Sequence, residues 1–124
     1  LIVEENPSWA EIYQLAFTAG RYETVLCTDL DDLFHLLSTT HPDLIFWSHR
    51  SRHTEEDIEC LDRIQKAYDD GARPLIVIVV NENAYPQIAA YADMIVENYI
   101  ISDLSGFLTD IAHLFEGQDD KRVP

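Results

Sequence analysis

The chain is short of the residues that staple or loosen a fold. Of its 124 residues only two are cysteine, one is methionine and four are glycine. Cys27 and Cys60 lie far apart, with neither the CxxC spacing of a redox pair nor that of a metal site. A disulfide framework is thereby excluded, and reduced thiols of a cytoplasmic protein are expected. Basic residues are equally scarce: 8 Lys and Arg stand against 23 Asp and Glu, for a formal charge of −15 and a pI near 4.3. A field of that sign repels phosphate backbones, so no direct nucleic-acid binding is expected. Long apolar runs are missing too. The longest, residues 75–80, is strand-sized and far below the roughly 20 residues that span a bilayer. No basic segment precedes the first apolar residues, as a secretory signal requires. No membrane partner is expected.

What is present suffices for one core. Apolar residues make up 47% and aromatics 10%, enough to fold a single domain of this length. The sequence opens inside an apolar run, as a piece of a longer chain would. Residues 1–116 are expected to form the domain, and residues 117–124 a polar tail or the start of a linker.

Short β-branched runs alternate with helical patterns. Strands are expected at residues 1–3, 22–27, 44–47, 75–80 and 94–96. Ser8, with Glu11 three residues on, reads as a capping box opening a helix that Gly20 stops. Asp29 caps the next helix, whose apolar face is Leu33, Phe34 and Leu37. Thr54 and Asp57 open a third, carrying Ile58, Leu61, Ile64 and Tyr68. A short fourth helix covers residues 85–91, with Pro86 tolerable only in its first turn. The fifth starts at Ser102 or Asp103 and repeats Leu104, Phe107, Leu108, Ile111, Leu114 and Phe115, with Gly106 as a local weakness. Five such units predict an α/β fold: a three-layer α/β/α sandwich around a five-stranded parallel sheet of order 2-1-3-4-5, the flavodoxin-like arrangement. Function in such folds sits at the carboxyl ends of the strands.

Four motifs in order resemble the response-regulator receiver (CheY-like) family. Leu1-Ile2-Val3-Glu4-Glu5-Asn6-Pro7 is similar to its opening strand and acidic pair. His41-Pro42-Asp43-Leu44-Ile45-Phe46-Trp47-Ser48 resembles the third strand, which in the family ends in the phosphoacceptor aspartate. Residues 74–80 resemble the fourth strand, and Ala92-Asp93-Met94-Ile95-Val96-Glu97-Asn98-Tyr99 the fifth, with a fourth helix about one turn short. The resemblance implies a pocket of Glu4, Glu5, Ser48, Val79 and Glu97, and each departure from the family's pattern removes a requirement of phosphorylation. Ser48 replaces the acceptor aspartate, and a serine hydroxyl is un-ionised at neutral pH and needs a base. Val79 falls where a hydroxyl is usual and cannot donate a hydrogen bond. Glu97 falls on the lysine position, with the wrong sign for a phosphoryl group.

The resemblance thus implies a pseudo-receiver: a phosphorylation-independent protein-interaction module of two-component or phosphorelay signalling, not an enzyme, with no cofactor. Glu4 and Glu5 are the only weak cation candidates, and the favoured reading is a solvated strand end without metal. Arg50 and Arg52 in the following loop can instead fold back onto the acids and neutralise them. A zinc set of His49, His53 and Glu5 matches no ligand-spacing rule. Trp9 and Trp47 read as packing residues, and Trp47 is placed to crowd the former pocket. No Lys or Arg occurs between Pro74 and Asp120, so a partner at the last strand and helix is expected to be basic, or else an attached output domain. Tyr99, Ile100 and Ile101 are the candidate apolar contacts. Two rivals are a receiver phosphorylated on Ser48 or a nearby histidine, and a flavodoxin-like small-molecule binder. The second is disfavoured by a first loop, Glu4-Glu5-Asn6-Pro7, that repels phosphate.

Overall fold

A computed structural model of the chain describes residues 1–49, 54–68, 73–80, 86–97 and 103–122. Five parallel strands form one sheet: β1 (Ile2–Val3), β2 (Leu26–Cys27), β3 (Leu44–Ser48), β4 (Leu75–Val80) and β5 (Met94–Glu97), in the order β2-β1-β3-β4-β5. The helices are α1 (Pro7–Ala19), α2 (Leu33–Thr40), α3 (Thr54–Ala67), α4 (Pro86–Ala89) and α5 (Leu104–Arg122), with a 3-10 turn at Leu30–Asp32 ahead of α2. This is the flavodoxin-like α/β sandwich expected from the alternation. Among the described residues, no helix is long and apolar enough to cross a membrane.

Two apolar cores cover the two faces of the sheet. On one, Tyr13, Phe17, Phe46, Val77, Val79, Val96, Phe107 and Ile111 pack together, joining α1 and α5 to the strands. Its centre is aromatic, with Tyr13, Phe17 and Phe107 each meeting Phe46 edge on at 4.9 to 5.8 Å. On the other face Val3, Ile45, Trp47, Ile76, Ile78 and Val80 meet Leu33, Leu37, Leu61, Ile64 and Ile88 from α2, α3 and α4. The alternation of side chains along a strand assigns Phe46 to the first core and Trp47 to the second. Every residue of β4 is buried, as a central strand covered on both sides requires.

Local chemistry departs from the sequence reading in four places. The cap of α1 is Asn6, whose Oδ1 accepts from the backbone N–H of Ser8 and Trp9 at 2.9 and 3.3 Å. Ser8 lies inside the helix, because Pro7 occupies its first position and supplies a ready φ. The second strand is much shorter than residues 22–27. After α1 the chain turns through Arg21, at φ 67°, and Tyr22 N–H returns to the Phe17 carbonyl. The chain joins β1 only where Ile2 N–H reaches the Val25 carbonyl at 2.8 Å. Gly106 lies in the first turn of α5 and is part of its start, its N–H donating to Oδ1 of the exposed Asp103 at 3.0 Å, and a Cβ there would only have to displace that carboxylate. The helix then continues through to Arg122, across the segment read as a polar tail.

The amino end of β4 is fixed by an ion pair. Arg73 grips Asp93 through two N–H···O contacts of 2.9 and 3.0 Å, and Asp93 also accepts from Ile76 N–H at 2.8 Å. Asp93 N–H donates to the Ile76 carbonyl at 2.7 Å. One carboxylate thereby ties the start of β5 to β4, with Met94 opposite Val77. The residues singled out in the sequence lie at the opposite, carboxyl edge of the sheet.

Candidate functional site

The carboxyl edge is assembled by register. Ser48, the last residue of β3, pairs with Val79 of β4, and Val80 pairs with Glu97, the last residue of β5. Glu4 follows β1 directly, its N–H bonded to the Cys27 carbonyl at 3.0 Å. Alternation places Ser48 on the side of the sheet that carries Phe46 and Val79, and Glu4 on the side of Ile2, which is the same one. The structure thus brings Glu4, Ser48 and Val79 to one edge on the α1 and α5 side, and ends β5 with Glu97 beside them.

Their chemistry is weakly suited to capturing a phosphoryl group. Val79 is 2% exposed and belongs to the apolar core, so its methyl groups close the end of β4 where a hydroxyl donor would be needed. Ser48 is half-buried, and among the described residues no hydrogen bond engages its hydroxyl. No base therefore aims at it there. Glu4 is 3% exposed, and its Oε1 accepts from Asn6 N–H at 3.0 Å. The carboxylate is thus held to the turn that starts α1, while Glu5 is exposed. Of Glu97 only the backbone is described.

A buried pair that the sequence did not reveal lies just behind this edge. His49 follows β3, its N–H bonded to the Val79 carbonyl at 3.0 Å, and its ring turns to the α3 side of the sheet. There Nδ1 lies 2.6 Å from Oδ2 of Asp57, in the first turn of α3. Both residues are buried. Asp57 thus contacts the residue that follows β3. The signal available in the sequence was alternation, which sends the residue after Ser48 away from the pocket and toward α3.

Several expectations are corrected or fall outside this region. Trp47 does not crowd the pocket: it is fully buried in the opposite core with Leu33 and Leu61. The reason is again the period of two, because the residue before Ser48 must face the other way. Trp9 is half-buried and stacks on Tyr13 at 5.8 Å, as a packing residue. Arg50, Arg52 and His53, and the contacts Tyr99, Ile100 and Ile101, lie outside the described residues. The described apolar side chains flanking that last group, Ile95 and Leu104, are exposed. Among the described residues no three His, Cys, Asp or Glu side chains are arranged to hold a metal ion.

No protein-family model matches the chain, and no curated protein does. Solved structures do. A response regulator from Thermotoga maritima is similar with a TM-score of 0.76 at 13% identity, over 93% of this chain and 94% of that one. The signal receiver domain of a response regulator from Bermanella marisrubri gives 0.72 at 15% identity, over 92% and 94%. The pseudo-receiver domain of the CikA protein gives 0.64 at 16% identity, over 87% and 93%. Sheet order, layering and full-length overlap agree, and the chain has the fold of response-regulator receiver domains.

Proposed function

We propose that the chain is a pseudo-receiver, a signalling module that acts by binding a protein partner and is not switched by phosphorylation. The observation that carries this reading is the pairing of Ser48 with Val79 across the ends of β3 and β4. In that place a hydroxyl that no base among the described residues engages faces a buried hydrocarbon, and the Ser48 and Val79 positions themselves supply neither an attacking carboxylate nor a hydroxyl donor for the product. Glu97 at the end of the adjoining strand adds negative charge, opposite to what a phosphoryl group requires.

Glu4 supports the same reading. A carboxylate this deeply buried demands a compensating charge, and Arg50 and Arg52 follow the neighbouring strand closely in sequence. We assign to them the neutralising role that a bound cation would otherwise fill. The partner surface is placed at β5 and α5, where Ile95 and Leu104 are exposed and where no Lys or Arg occurs between Pro74 and Asp120. A basic protein surface, or a basic output domain attached to this one, fits that face.

The test is incubation with acetyl phosphate and Mg²⁺, followed by intact mass measurement at short times. The expected result is an unmodified chain. A phosphoryl adduct would overturn the proposal, and its loss in Ser48→Ala would establish the serine as an unconventional acceptor.

A further inference from the structure

We draw no further inference here: the strongest candidate, the apolar face of β5 at the exposed Ile95 beside the single turn of α4, belongs to the partner surface already proposed, and nothing in the structure shows what covers it.

Discussion

Nδ1 of His49 and Oδ2 of Asp57 lie 2.6 Å apart in a buried setting, joining the end of β3 to the first turn of α3. The contact ties the residue after β3 to α3. Removing either partner takes away a short polar contact in the interior. His49→Ala and Asp57→Ala are each expected to destabilise the fold by about 3 kcal/mol. Urea unfolding of both variants and of the double variant should show a coupling of about 1–3 kcal/mol. Additive losses would mean that the pair contributes nothing specific.

The capping assignment is open to a direct contrast. Asn6→Ala removes the acceptor for two helix N–H groups and should cost about 1 kcal/mol. Ser8→Ala, within the helix, should change stability by less than about 0.5 kcal/mol. The two melting temperatures rank accordingly. The opposite order would restore the Ser8 capping box.

Asp93 joins β4 to β5 through Ile76 N–H and is gripped by Arg73. Asp93→Ala leaves that backbone donor and the guanidinium without their acceptor, and about 2 kcal/mol of stability should be lost. Hydrogen exchange should accelerate first at Met94–Glu97, ahead of the central strands. Uniform acceleration across the sheet would show that β5 does not open separately.

Burial raises the Cys27 thiol to about 11, only partly offset by the backbone at Asp29. Cys60 is raised as well, again by burial first. Both thiols should therefore react slowly with iodoacetamide at pH 8. The linkage has a definite sign. Unfolded Cys27 ionises near 9.0 and the folded residue near 11, so the unfolded chain binds fewer protons in between. Stability from this group is constant below pH 9 and falls as pH rises from 9 to 11. Urea midpoints at pH 8 and pH 10 measure the loss, and Cys27→Ala should reduce it.

Rebuilding the missing chemistry is a gain-of-function check on the pocket. The triple variant Ser48→Asp, Val79→Thr and Glu97→Lys supplies nucleophile, hydroxyl and cation on the neighbouring strand ends. It should acquire an acid-stable, hydroxylamine-labile phosphoryl group from acetyl phosphate and Mg²⁺ that the parent chain does not. Failure of a folded triple variant would place the obstacle elsewhere in the pocket, first at Glu4.

The fold was legible because each strand carries its own signal. Leu75–Val80 is apolar at every position, and α5 repeats Phe107 and Ile111 on one face. The order of the sheet followed from the alternation of strands and helices. The site was legible only in part. Ser48, Val79 and Glu97 are recognised by their place at strand ends, which sequence supplies. The His49–Asp57 contact depends on where α3 begins relative to β3, and chain spacing alone does not give that. The Asn6 cap was obscured by Glu11, a box partner for Ser8, although Pro7 already marked the first helical position. Tyr22 and its neighbours looked like strand because aromatic and β-branched residues favour it. The left-handed turn at Arg21 instead holds Tyr22 to the end of α1.

Phe46 and Trp47 are neighbours in β3, yet one fills the aromatic core beneath α1 and α5 and the other the aliphatic core beneath α2 and α3. Sliding that strand by a single residue would exchange two side chains of unlike volume between compartments already filled, and would turn Ser48 inward. The alignment of the whole sheet is therefore locked by bulk at its middle, which leaves the loops at either rim free to diverge without unsettling the scaffold.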